Sequence, residues 1–179
     1  TIGHLEGFYY KPRIDWEVLQ EHKEGLIACT ACLAGEIPQL IMANKLEKAR
    51  QRIIEYNDLF GQGNFYLELQ HHPGLPEQQP VNDKLLEFSR ELNVPVVATN
   101  DIHYLNQEDA DLHDILLAMQ TGKTINDEDR MTFAGEQYYF KSPEEMRTLF
   151  PEIESVYDNT VEIADRCQIE FDFDQFYLP

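Results

Sequence analysis

Apolar residues follow two alternating spacings along the first two-thirds of the chain, and this alternation predicts an α/β fold. Compact apolar runs typical of strands lie at 25–33, 64–70 and 94–100. Between and after them, apolar residues recur at helical spacing, with a break near Asn44 and an amphipathic stretch over 78–92. The third run is almost wholly apolar, as expected for a parallel strand covered on both faces. The order of strand, helix, strand, helix, strand, helix favours a parallel sheet with crossover helices.

The C-terminal part has a different pattern, which predicts a mainly helical portion. Residues 120–141 are polar and rich in turn-forming residues. Ser142 to Glu145 form a capping-box sequence with proline at the first helical position, so a helix is predicted to begin there. Beyond it, five residues at helical spacing predict the buried stripe of a final helix: Ile153, Val156, Val161, Ala164 and Cys167.

Length and composition indicate one ordinary globular domain. The chain has 179 residues, of which 42% are hydrophobic, enough to build a core. It contains no apolar run long enough to span a membrane, and its start has no pattern of a signal peptide. Three cysteines are too few for a disulfide framework. We therefore expect a cytoplasmic protein with no membrane partner.

The net charge of −19 limits the kind of partner that this segment can bind. Asp and Glu (33) far outnumber Lys and Arg (14), whereas surfaces that bind a phosphate backbone are usually basic. A DNA-binding surface made by this segment alone is therefore not expected. Two interpretations of the acidic residues remain open, a solvated surface or a pocket that collects metal ions.

Asp101 and His103 follow the third predicted strand and are the strongest candidates for chemistry. Side chains two apart in an extended chain point the same way, so these two are predicted to face one side at the C-terminal end of a parallel strand. A carboxylate and an imidazole suit Zn²⁺, Mn²⁺ or Fe²⁺. In the alternative interpretation, Asp101 caps a turn and His103 lies beside it on the surface.

The ends of the other two predicted strands carry further candidates. Cys32 stands at the end of the first strand and could supply a thiolate, or it could be a small buried residue. Its spacing from Cys29 also matches a redox C-x-x-C pair, although the strand-like context disfavours this. Glu68 and His72 are possible site-lining residues at the end of the second strand.

Seven phrases of the sequence together resemble the PHP domain of bacterial DNA polymerase III alpha subunits. They occur in register along essentially the whole chain: GFYYKPRID (7–15), ACLAGEIP (31–38), FYLELQ (65–70), VPVVATNDIHYL (94–105), QTGKT (120–124), FKSPEEM (140–146) and NTVEIADRC (159–167). The resemblance implies part of a PHP-type distorted β/α barrel, similar to a TIM barrel. Residues 1–179 would form a single partial PHP domain without the N-terminal strands and their H-x-H motif. Residues 120–179 would form a helical extension leading to the polymerase core.

The resemblance also implies a metal site and a set of partners. Cys32, Asp101 and His103 match three metal-ligand positions of the family, so the expected cofactors are divalent ions (Zn, Mn or Mg) in a site that is incomplete in this segment. No polymerase active-site residue matches, so no catalytic residue is assigned. The implied parent is a DNA-directed DNA polymerase that acts in replication. Its implied partners are the polymerase core of the same chain, other holoenzyme subunits, and DNA bound through the parent protein.

Three roles for the domain itself remain open at this point. It could supply a 3′–5′ exonuclease or phosphoesterase activity, or it could be a non-catalytic structural or interaction module of the replisome. A free-standing PHP metallophosphatase is the third possibility, although GFYYKPRID (7–15) and FKSPEEM (140–146) fit the polymerase branch better.

Overall fold

The structure is a computed structural model that describes residues 1–170 and 172–173. Its N-terminal elements are short, and they lie apart from the main sheet. They are helix α1 (Ile2–Leu5), the antiparallel strands β1 (Phe8–Tyr9) and β2 (Lys11–Pro12), and helix α2 (Trp16–Glu21). The Asp15 side chain caps α2 by accepting a hydrogen bond from the Val18 amide. The sequence pattern at 14–22 predicts a short helix, which corresponds to α2, but no pattern predicts α1 or the small hairpin.

The main sheet has three parallel strands, in the spatial order β3–β4–β5. They are β3 (Ala28–Cys29), β4 (Phe65–Leu69) and β5 (Val96–Ala98). The predicted first strand is therefore real but much shorter than its apolar run. Every residue of β4 except Glu68 is buried, and all of β5 is buried. The sheet thus has the continuous apolar character expected of parallel strands covered on both faces.

Helices connect the strands in the predicted order. They are α3 (Glu36–Met42), α4 (Leu46–Phe60), α5 (Gln78–Leu92) and, after a 3₁₀ turn at Gln107–Asp109, α6 (Ala110–Gln120). The predicted break falls at Asn44, whose φ of 54° lies in the left-handed region that asparagine tolerates. The α/β fold class is therefore confirmed.

The C-terminal part contains α7 (Pro143–Arg147) and α8 (Ser155–Arg166). The capping box of Ser142 and Glu145 is present as predicted. The predicted buried stripe of α8 is partly wrong, because Val156 is fully buried whereas Val161 is 62% exposed and Cys167 is exposed. Five residues at about 100° each place Val161 roughly 140° around the helix from Val156. Only a narrow face of α8 therefore reaches the sheet.

The core lies around the sheet and includes residues from the C-terminal part. Among the residues that the structure describes, fourteen buried apolar residues form one cluster: Ile37, Ala49, Ile53, Phe65, Leu67, Leu69, Val81, Leu85, Phe88, Val94, Val96, Ala98, Phe150 and Val156. Helix α8 packs against β5, and the Asn159 amide donates a hydrogen bond of 2.6 Å to the Val96 carbonyl. Among the described residues, β3 pairs only with β4, so the sheet is covered at the β5 edge and open at the β3 edge.

An aromatic and ionic cluster attaches α2 to α4. The Arg52 guanidinium lies 4.7 Å from the Trp16 ring centroid and forms an ion pair of 2.9 Å with Glu36. The Tyr56 hydroxyl donates to the same Glu36 carboxylate.

Within residues 1–170 and 172–173, no helix is both long and apolar enough to cross a membrane.

Candidate metal centre

The carboxyl ends of the three parallel strands meet at one edge of the sheet, where the sequence predicted a site. Thr30 follows β3, Gln70 follows β4, and Thr99 follows β5. Backbone hydrogen bonds continue past the strand ends, from the Thr30 amide to the Tyr66 carbonyl and from the Thr99 amide to the Leu69 carbonyl. The loops that carry the candidate residues therefore begin from a fixed position.

Asp101 and His103 lie together, although not for the reason inferred from sequence. Their side chains approach to 3.3 Å between Oδ1 and Nε2, and both remain about one-third exposed. Asp101 has a φ of 50°, so the chain here is left-handed rather than extended. The loop is held from outside, because the Tyr138 carbonyl accepts a hydrogen bond from the His103 amide and the Tyr139 carbonyl accepts one from the Asn100 side chain.

His72 is a buried imidazole without a hydrogen-bond partner among the described residues. Its side chain is 3% exposed, and neither ring nitrogen has a partner. The ring stacks on Tyr138, with centroids 4.4 Å apart. Burial lowers the pKa of His72, and Lys141, His71 and His103 act in the same direction while the Asp101 carboxylate opposes them. His72 is therefore held neutral, the form that binds a metal ion or accepts a proton.

The two cysteines of the C-x-x-C pair have different settings. Cys32 is half-buried in the turn between β3 and α3, and within the described part of the chain it belongs to no group of three or more possible metal ligands. Cys29 is exposed as a residue, but packing around its sulfur, together with the Glu68 charge, raises the pKa of its thiol to about 11. A thiol with so high a pKa is a poor nucleophile at neutral pH, which opposes a redox role for the pair.

Glu68 joins the ends of all three strands through hydrogen bonds. Its Oε2 accepts from the Ala31 amide at 2.9 Å, and its Oε1 accepts from the Thr99 hydroxyl at 2.5 Å. Its own amide donates to the Thr30 hydroxyl at 2.8 Å. Glu68 therefore lies at the edge where the sequence predicts a site, and its role in lining that site stays a prediction.

Sequence reasoning missed an aromatic cluster beside His103. The rings of His113 and Phe133 lie 5.5 Å and 4.5 Å from the His103 ring, and Tyr138 lies edge-on to it at 5.9 Å. His113 and Phe133 also line a cavity of about 300 Å³. In the sequence, the only sign of this cluster was the adjacent pair Tyr138 and Tyr139 within the polar stretch 120–141. Nothing in their spacing related them to the strand ends.

The donor groups fit a divalent metal ion in chemical type but supply only part of a coordination shell. A carboxylate beside an imidazole and a second, neutral imidazole without a partner suit Zn²⁺ or Mn²⁺. However, no group of three or more His, Cys, Asp or Glu side chains in the described part of the chain has the arrangement of a complete metal site. Zinc in proteins almost always has at least three protein ligands, so ligands from elsewhere would be needed.

Comparison with known proteins first relates the N-terminal part of the chain to a domain family. Residues 1–72 match the PHP domain family. This segment includes β3, β4 and the candidate residues Cys32, Glu68 and His72, whereas Asp101 and His103 lie beyond it.

More than nine-tenths of the chain is similar to the alpha subunits of bacterial DNA polymerase III. It is 49% identical over 171 residues to "DNA polymerase III subunit alpha" of Thermus aquaticus, which covers 94% of this chain. The subunit of Borreliella burgdorferi is 47% identical over 167 residues (93% of this chain), and that of Helicobacter pylori is 37% identical over 182 residues (96% of this chain). The resemblance inferred from the seven phrases is confirmed.

This chain spans only a small part of those relatives, namely 14% of the Thermus and Borreliella proteins and 15% of the Helicobacter protein. The activities of those whole proteins therefore depend largely on sequence that is not part of this chain.

Proposed function

We propose that this chain is the later part of the PHP domain of a replicative DNA polymerase III alpha subunit, a DNA-directed DNA polymerase. The carrying observation is the similarity along more than nine-tenths of the chain to subunits of that name. The parallel sheet and its crossover helices support an incomplete PHP-type barrel, similar to a TIM barrel. The edge of β3 that pairs with no strand among the described residues would then be where other strands of the barrel pair.

Within that domain, Asp101, His103 and Cys32 are proposed to contribute to a metal site. Support comes from the 3.3 Å approach of Asp101 to His103 and from their partial exposure, which leaves both open to an ion. His72 would line the site as a neutral imidazole. The remaining ligands would come from residues that precede this segment in the longer polypeptide.

A divalent ion held there would activate a water molecule and stabilise a leaving oxygen in phosphodiester hydrolysis. This segment's own residues would orient the site. Tyr138 fixes the His103 loop through its carbonyl and stacks on His72, and Glu68 ties the strand ends together. As a neutral imidazole, His72 could accept a proton at a ring nitrogen, because neither nitrogen has another partner among the described residues. The domain would thereby supply a 3′–5′ exonuclease or phosphoesterase activity.

The charge of the segment favours a particular arrangement with DNA. At −19, it repels a phosphate backbone, so the polymerase core and other subunits would hold the DNA while only a strand end reaches the site. The same charge also suits a second function, in which the domain is a metal-stabilised brace that contacts the polymerase core and other replisome subunits. In both cases the place of action is the cytoplasm.

One experiment separates the two functions. The full-length polypeptide that contains this segment is compared with its Asp101→Ala and His103→Ala variants for bound metal, DNA synthesis, and 3′ trimming of single-stranded DNA with Mn²⁺ or Zn²⁺. Asp83→Ala and His22→Ala serve as matched controls, because both side chains are exposed and lie on other elements. The hydrolytic proposal expects the site variants to lose metal and trimming while synthesis persists.

The opposite pattern supports the brace. If the site variants lose metal together with stability or synthesis, and the unaltered protein never trims DNA, the exonuclease proposal is wrong. If the unaltered protein binds no metal at all, both functions of the site are wrong.

A further inference from the structure

Glu68 lies in the middle of the sheet edge at which the carboxyl ends of the strands meet, between the two loops that carry the proposed metal ligands. It lies on β4, the central strand, with β3 on one side and β5 on the other. Its two carboxylate oxygens point to different neighbours, one to the Ala31 amide beyond β3 and the other to the Thr99 hydroxyl beyond β5. One side chain therefore spans the ends of all three strands.

The direction of the Thr99 bond is fixed by a second donor. The Gln70 side-chain amide donates to the Thr99 oxygen at 3.2 Å, so the hydroxyl proton of Thr99 is left to point at Glu68. Gln70 is itself only 4% exposed. The Glu68–Thr99 contact is therefore part of a partly buried network rather than an isolated surface contact.

Both loops adopt a backbone conformation that residues with a β-carbon disfavour. Ala31, just before Cys32, has a φ of 61°, and Asp101, two residues after Thr99, has a φ of 50°. Such conformations persist where surrounding contacts hold them. The bond from the Ala31 amide to Glu68 acts directly on the first of these residues, and the Thr99 bond acts at the start of the second loop.

Both oxygens of the Glu68 carboxylate already accept hydrogen bonds from protein groups, which favours a positioning role for Glu68 over a role as a metal ligand. One oxygen accepts from an N–H group and the other from an O–H group. Outer groups that orient metal ligands are typically hydrogen-bonded in this way. The groups held here are the peptide backbones of two ligand-bearing loops rather than a ligand side chain.

From these contacts we infer that Glu68 is a positioning residue that sets the spacing between the Cys32 loop and the Asp101–His103 loop across β4. This inference rests on the proposed function, because it concerns the same site. It adds a role for a residue that does not itself hold the ion.

The test uses the full-length polypeptide with Glu68→Ala, Glu68→Gln and Glu68→Asp. Affinity for Co²⁺ is measured by titration, with the thiolate-to-cobalt absorption band reporting on Cys32. Hydrogen exchange of the Ala31 amide is measured without metal, so one readout depends on neither metal nor activity. Glu87→Ala, on the exposed face of α5, is the glutamate control. Ile53→Val is the stability control, because it disturbs a fully buried residue of α4.

Positioning predicts a ranking of the variants. Glu68→Ala should weaken Co²⁺ binding by about 10- to 100-fold and speed exchange at Ala31. Glu68→Gln keeps the length and one acceptor oxygen, so it should lose less. Glu68→Asp keeps the charge but is one methylene shorter, so it should resemble Glu68→Ala. Ile53→Val should lower stability and leave Co²⁺ affinity unchanged.

Three results would overturn the inference. If Glu68→Ala kept the wild-type Co²⁺ affinity and the wild-type exchange rate of the Ala31 amide, the hydrogen bonds of Glu68 would not position the two loops. Near-normal binding in Glu68→Asp with a full loss in Glu68→Gln would show that Glu68 acts through its charge, as a ligand does. If the unaltered protein binds no Co²⁺, the proposed function itself fails and this inference falls with it, a result distinct from the other two.

Discussion

Helix α8 should be an integral part of the sheet's core, and replacing Val156 with alanine tests this. Val156 is fully buried in the cluster around the sheet, and α8 packs on β5. The change removes two carbon atoms, worth about 1.6 kcal/mol of transfer free energy at roughly 0.8 kcal/mol each. Incomplete relaxation around the cavity adds to this loss and the gain in helix propensity offsets part of it, so the expected loss is about 1.5–3 kcal/mol.

The same helix offers a matched control, because Val161 is 62% exposed. Val161→Ala is the same chemical change and gains the same helix propensity, but it should alter the unfolding free energy by less than about 0.5 kcal/mol. The difference between the two variants therefore isolates burial.

Urea denaturation followed by circular dichroism measures both variants. For a chain of this length, the expected loss in Val156→Ala corresponds to a melting temperature lower by about 3–12 °C. The dependence of the free energy on urea should stay unchanged if the folded and unfolded states keep their compactness. Equal effects of Val156→Ala and Val161→Ala would refute the packing of α8 on the sheet.

Three further predictions concern single groups. Burial lowers the pKa of His72 below 6.5, so the unfolded state takes up the proton first as the pH falls. The contribution of His72 to stability should therefore be full above pH 6.5 and decrease as the pH drops towards the folded-state pKa. His72→Phe should flatten this decrease in urea titrations at several pH values, and an unchanged dependence of the unfolding free energy on pH would contradict the prediction. Arg52→Leu should release α2 from α4, which the fluorescence of Trp16, the single tryptophan, would report as a shift to longer wavelength; an unshifted spectrum would count against the contact. Cys29 should be alkylated slowly at pH 8 and faster only as the pH approaches about 11, while the exposed Cys167 reacts readily; equal rates, read by mass spectrometry, would disprove the raised pKa.

The hydrophobic pattern predicted the order of the elements because helix and strand spacing are local properties. The two helices separated near Asn44, the amphipathic helix α5, and the capping box at Ser142 all occur as predicted. Local patterns were less informative about extent, since only Ala28 and Cys29 of the first apolar run form a strand. Pairing partners determine the length of a strand, and those are not local.

The candidate site shows the same division. Sequence singled out Asp101 and His103, and they do lie together, yet through a left-handed turn at Asp101 rather than an extended chain. Tyr138 approaches His103 from a distant part of the chain and His113 from the following helix α6, and their spacing in sequence carries no sign of this. Which side chains surround a given residue depends on how the C-terminal part folds back onto the strand ends.

By itself, the sequence determined the α/β order of elements, the acidic charge and the resemblance to polymerase III alpha subunits, because these depend on residue types and their spacing. Tertiary structure alone decided that Glu68 bridges three strand ends, that His72 is buried without a hydrogen-bond partner among the described residues, and that α8 covers the edge of β5. Each of these depends on contacts between residues far apart in the chain, which form only when the helices and the parallel strands pack around a common core.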